Sequence, residues 1–134
     1  MSLHGSCLCG TIRYEVDQLD GPIRHCHCNT CRKAHAAPMT SSADVNRDHF
    51  RWLAGADKLS AYESSPGKFR RFCSVCGTYL ISERPESPSL FLRVATLDDD
   101  PGQTPQYHIW TSQQPKWLTD APGAPHHAEW EPGH

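Results

Sequence analysis

Apolar and polar positions alternate with a period of two along most of the chain, the spacing of half-buried strands rather than helices. In residues 11–16, Ile12, Tyr14 and Val16 fall on one side, and Thr11, Arg13 and Glu15 on the other. Asp20-Gly21-Pro22 breaks this run, and residues 23–27 read as a returning strand. Further short strands are expected over residues 39–45, 50–53, 59–63, 69–73 and 78–82. The strongly apolar 90–97 follows, and 107–111 is the last. Between them lie turn-forming segments: Ala54-Gly55-Ala56-Asp57, Ser64-Ser65-Pro66-Gly67, residues 85–88 and residues 98–102. No window carries a sustained helical stripe, and the one expected helical turn covers residues 29–36. The pattern predicts an all-β fold of short antiparallel meanders, in a single domain over residues 1–118. Residues 119–134 carry Pro122, Pro125 and Pro132 with few apolar side chains and are expected to form a loosely ordered tail. The opening Met1-Ser2-Leu3 is given no structural role.

Composition sharpens this picture. A chain of 134 residues supports one modest core. Only 37% of its residues are hydrophobic, the mean hydropathy is -0.61, and it has eleven prolines and nine glycines. Metal cross-links would supplement such a core. A formal net charge of -2 offers no basic face, so nucleic acid is not an expected partner. No apolar run approaches the 18 or so residues of a membrane span. Cys7 and Arg13 arrive before a signal-peptide core could form, so a cytoplasmic location with reduced thiols is expected.

That expectation bears on seven cysteines, which fall into three groups: Cys7-Leu8-Cys9, Cys26-His27-Cys28-Asn29-Thr30-Cys31 and Cys73-Ser74-Val75-Cys76. An odd count in a reducing compartment argues against disulfides. Zinc explains the spacing better, because a C-x2-C turn sets two thiolates about one tetrahedral edge apart. Cys73 and Cys76, with Gly77 to turn the backbone, make half a site, and Cys7 and Cys9 are the natural other half. Four thiolates close the coordination shell, as in structural zinc. Cys26, Cys28 and Cys31 converge on a second ion and leave its fourth position for water or substrate, the arrangement of a catalytic zinc. Alternatively His25 or His27 closes that site as a fourth ligand, making both zincs structural.

The ordered cysteine set resembles that of the glutathione-dependent formaldehyde-activating enzyme family, whose relatives include centromere protein V. Gly5-Ser6-Cys7-Leu8-Cys9-Gly10 is similar to the family's opening motif, and His27-Cys28-Asn29-Thr30-Cys31-Arg32-Lys33 to its central one. Phe72-Cys73-Ser74-Val75-Cys76-Gly77-Thr78 resembles the third. Tyr107-His108-Ile109-Trp110 and Pro115-Lys116-Trp117-Leu118 are similar to its C-terminal region. The resemblance implies a β-tent related to methionine sulfoxide reductase B, with two zincs divided over the cysteines as above. It also implies carbon–sulfur lyase chemistry, combining glutathione and formaldehyde into S-hydroxymethylglutathione. The segment Ala34-His35-Ala36-Ala37 departs from the small residues expected there.

In such a site Arg32 and Lys33 are candidates to offset the thiolate charge or hold a substrate carboxylate. His25, His27 and His35 are candidate proton relays. His108 and Trp110 are further candidate substrate contacts, and Trp117 a candidate wall. The His126-His127 pair reads as an incidental surface pair. Two rival functions remain: a non-enzymatic zinc module for protein interaction, and methionine sulfoxide reduction, which needs a cysteine free of metal.

Overall fold

A computed structural model describes residues 2–134. In chain order the elements are β1 (Leu3–Ser6), β2 (Arg13–Val16), β3 (Arg24–Cys26), α1 (Asn29–His35), β4 (Thr40–Asn46), β5 (Phe50–Ala54), β6 (Leu59–Ser65), β7 (Lys68–Cys73), β8 (Tyr79–Glu83), β9 (Ser89–Arg93) and β10 (Tyr107–Ile109). One sheet has three strands in the order β1-β2-β5. The other has seven, in the order β10-β3-β4-β9-β8-β7-β6. Every pairing is antiparallel except that of β10 with β3, which is parallel. The fold is all-β with one short helix.

Each strand expected from alternation coincides with an observed one, with two corrections. β1 includes Leu3, which the sequence reading left without a role. Its His4-Gly5-Ser6 carries no apolar alternation, and only the pairing with β2, Leu3 against Val16 through Ser6 against Arg13, makes it a strand. The apolar run 90–97 also ends early. The chain turns into a 3-10 segment, Val94–Thr96, where the Thr96 hydroxyl donates to the Arg93 carbonyl at 2.8 Å and meets the Tyr14 hydroxyl at 2.7 Å. Residues 119–134 form no helix or strand, and no helix among the described residues is long and apolar enough to cross a membrane.

Alternation fixes what each face of the large sheet presents. Val45, Leu90 and Leu92 join Ile12, Tyr14 and Val16 of the small sheet region in one buried cluster, so the core sits where the two sheets meet. The opposite face carries polar rows that run across strands. Arg24 pairs with Ser42, which pairs with Arg93; Phe91 pairs with Ser82, which pairs with Arg70. A strand pair points partnered side chains the same way, so arginines from β3, β7 and β9 are brought to one face.

Candidate metal centres and the cavity beside them

Cys7 and Cys9 lie in the turn after β1, and Cys73 ends β7 with Cys76 in the turn that follows. Their four sulfurs lie within 4.8 Å of one another. The Sγ of Cys9 stands 3.6 Å from that of Cys7 and 3.9 Å from that of Cys73. A tetrahedron with zinc–sulfur bonds of about 2.3 Å has an edge of about 3.8 Å, so the set fits that geometry. The backbone amide of Ile12 donates to Cys7 Sγ at 3.3 Å and that of Val75 to Cys73 Sγ at 3.4 Å. Gly77, at φ 81°, lets the chain turn back so that the Cys73 amide reaches the Thr78 carbonyl at 2.9 Å.

Cys26 ends β3, Cys28 caps α1 and Cys31 sits in the helix's first turn. The Cys31 amide donates to Cys28 Sγ at 3.2 Å, so the helix start itself turns two sulfurs together. All three sulfurs lie within 4.8 Å of one another. Neither imidazole that sequence offered as a fourth ligand joins that group. His25 Nδ1 meets the Ser41 hydroxyl at 2.9 Å, and the fully buried His27 turns its Nε2 to His108 Nδ1 at 2.8 Å. Burial pushes both imidazoles below their ordinary range, helped at His25 by His108 and His27 and at His27 by His108. Burial pushes the Cys26 thiol up to about 12. At Cys31 burial is outweighed by hydrogen-bond donors, Arg70 among them, and the thiol comes down to about 7. Three thiol donors in this arrangement can hold a metal ion.

A cavity of about 140 Å³ lies against these sulfurs, with Lys68, Arg70, Arg93, Ile109 and Trp110 in its lining. Outside it a second, more open hollow of about 250 Å³ includes Cys28, Arg70, Trp110 and Gln113. Arg70 is 3% exposed and Arg93 7%. Arg70 Nη2 donates to Cys31 Sγ at 3.7 Å, while its Nε and Nη1 have no acceptor. Arg93 donates to the hydroxyls of Ser42 at 2.5 Å and Ser82 at 2.9 Å, and leaves its Nε unpartnered. Burial lowers Arg93 to about 10, with Arg70 among the contributing cations, and likewise lowers Lys68.

The expected substrate residues are placed differently. Arg32 donates from Nη1 to the Gln113 carbonyl at 3.1 Å, tying α1 to the segment after β10. Lys33 is exposed and lines a separate hollow with Tyr62 and Tyr79. Neither is in the lining of the two cavities beside Cys28. Trp110 does line both, is 57% exposed and adopts a left-handed backbone at φ 59°. His108 is exposed on β10 and holds His27, and Trp117 is exposed rather than core. The His35 ring lies 4.8 Å from that of Tyr79, tilted by 49°, and burial, with Arg93 and Arg70 nearby, brings its pKa down to about 4.

Lys68, Arg70 and Arg93 are the residues that sequence reading passed over. One signal was available: Arg93 interrupts an apolar run, and the alternation of Leu90 and Leu92 with Phe91 and Arg93 assigns it to the face away from the core.

Comparison with known proteins bears on the whole arrangement. Residues 2–113 match the family described as "Glutathione-dependent formaldehyde-activating enzyme". A Halomonas elongata protein, named "Putative glutathione-dependent formaldehyde-activating enzyme", is 32% identical over 132 aligned positions, covering 88% of this chain and 80% of its own length. A crystal structure of a Rhodobacter sphaeroides protein, 28% identical, superposes with a TM-score of 0.62 over 78% of this chain and 98% of that one. With the family match spanning both cysteine sets, this chain belongs to the glutathione-dependent formaldehyde-activating enzyme family.

Proposed function

We propose that this protein is a zinc-dependent carbon–sulfur lyase that makes and breaks thiol–aldehyde adducts, of the type that joins glutathione and formaldehyde into S-hydroxymethylglutathione. The observation that carries this reading is the contrast between the two cysteine sets. Four sulfurs close on themselves at one site, whereas three sulfurs border a cavity at the other. On this reading Cys7, Cys9, Cys73 and Cys76 hold a structural zinc, and Cys26, Cys28 and Cys31 hold a second one. Zinc bound by three cysteines offers its fourth position to a thiol and favours the thiolate.

The chain's own residues supply the rest. Ile109 and Trp110 wall the inner cavity from the side of β10. Lys68, Arg70 and Arg93 set a positive field there, favouring both an incoming thiolate and the oxyanion that develops when sulfur adds to a carbonyl carbon. The parallel pairing of His108 with His25 and Ile109 with Cys26 fixes that wall relative to the sulfurs.

The test is exchange between free glutathione, formaldehyde and their adduct, followed by NMR with zinc-loaded protein. Acceleration by the wild type, lost in Cys31→Ser while the protein stays folded, is the expected outcome. Equal exchange with and without the wild-type protein, or an unaffected Cys31→Ser variant, defeats the assignment.

A further inference from the structure

The inner cavity holds more positive charge than the cysteines beside it require. Three thiolates with one dication carry a net single negative charge, and a fourth, substrate thiolate makes it two. Lys68, Arg70 and Arg93 bring three positive charges to the same space. Arg24 also lines it but is committed to Asp44 at 3.1 Å. No carboxylate of the described residues lines the cavity, and the buried Glu83 is taken by Arg47 and Arg71.

The hydrogen-bonding balance agrees. Arg70, 97% buried, leaves Nε and Nη1 without acceptors, and Arg93 leaves its Nε without one. Buried guanidinium N–H groups lacking acceptors are costly, and native interiors rarely tolerate them. Formaldehyde removes none of this excess, because it is neutral and offers one weak acceptor. A carboxylate does, since its two oxygens match the guanidinium fork. Size limits what meets all three cations at once: the inner cavity is about 140 Å³, while the outer hollow that shares Cys28, Lys68, Arg70 and Trp110 takes only what extends beyond it.

Building on the proposed thiol–aldehyde chemistry, we infer that Arg70, Arg93 and Lys68 form a carboxylate subsite for a short substrate, one bearing its carboxylate within two or three bonds of the reacting atom. The carboxylate belongs either to the aldehyde, as in a 2-oxo acid of the glyoxylate kind, or to a short thiol. In the aldehyde case the sulfur lone pair forms the new S–C bond to the aldehyde carbon and the C=O π bond opens. The proton that leaves the thiol ends on the new hydroxyl, giving RS–CH(OH)–COO⁻ with nothing oxidised or reduced.

The experiment uses zinc-loaded protein and two paired comparisons by NMR exchange. Glyoxylate is set against formaldehyde with glutathione as the thiol, and mercaptoacetate against 2-mercaptoethanol with formaldehyde as the aldehyde. The arm in which the carboxylate-bearing probe is favoured, by about ten- to a hundredfold for one charge-assisted pair, identifies its carrier. Arg70→Met and Arg70→Lys should each bring that ratio towards one, whatever happens to absolute rates. Independently of turnover, glycolate should shift the arginine Nε–H resonances of Arg70 and Arg93 in the wild type. Equal handling of charged and neutral probes, with those resonances unmoved, overturns the subsite even if glutathione–formaldehyde exchange is accelerated. Resonances moved by glycolate without acceleration of any exchange leave the subsite standing and defeat the thiol–aldehyde reading instead.

Discussion

Gly5 and Tyr14 face each other across β1 and β2, and a Cβ on Gly5 would stand 2.2 Å from the Tyr14 ring. The ring is fully buried, stacks on Phe50 at 5.3 Å and anchors its hydroxyl on Thr96. Glycine here makes room for an aromatic that joins the two sheets. Gly5→Ala must displace that ring, at a cost of about 1–3 kcal/mol. Urea unfolding of the zinc-loaded protein measures it, and a variant as stable as wild type would contradict the packing.

The two cysteine sets should respond differently to loss of a ligand. Cys76→Ser opens the cluster that ties the turn after β1 to the end of β7, so thermal stability should fall sharply, since structural zinc contributes folding energy. Cys31→Ser should keep most of that stability and lose one of two zincs, counted by plasma mass spectrometry. Equal destabilisation by both variants would refute the division of labour.

His35 should make the fold acid-sensitive. Burial, with Arg93 and Arg70 nearby, lowers it from the ordinary 6.5 to about 4, so the folded state keeps it neutral while the unfolded chain protonates it first. Its contribution is therefore complete above about pH 6.5 and is lost progressively as pH falls towards 4. His35→Gln should lose less stability than wild type between pH 7 and pH 5, read as the change in urea midpoint. Parallel losses in the two proteins would show that His35 does not titrate this way.

Trp110 adopts a left-handed backbone, which suits glycine better than a bulky side chain. Its indole is mostly exposed and lines both cavities. Trp110→Gly should hold stability within about 0.5 kcal/mol, because backbone relief offsets lost packing. The thiol KM should rise more than kcat falls. A large loss of stability with an unchanged KM would make Trp110 a packing residue instead.

The sequence was most readable where physics is local. Alternation such as Ile12, Tyr14 and Val16 located the strands, and the C-x-C and C-x2-C spacings sorted the sulfurs into two sets. What it did not disclose depends on register between distant strands. Arg70 reaches Cys31 across 39 positions of sequence, and Arg93 faces the cavity because β9 pairs with β4 and β8. Arg32 and Lys33, adjacent to Cys31 in the chain, are carried elsewhere by the helix. β1 was missed because His4-Gly5-Ser6 becomes a strand only when Tyr14 lies opposite.

The parallel strand β10 has a consequence for how the molecule is made. The three cysteines of the open set lie close together in the chain, at Cys26, Cys28 and Cys31, and are synthesised before the strand that walls them. That strand begins at Tyr107, 76 positions after Cys31, and Gln113 beyond it still has to receive the Asn29 amide at 2.8 Å. At about 5–20 residues per second, those thiols spend several seconds without their wall. During that interval metal supply and the reducing state of the surroundings decide the fate of the nascent chain, before the finished fold can protect it.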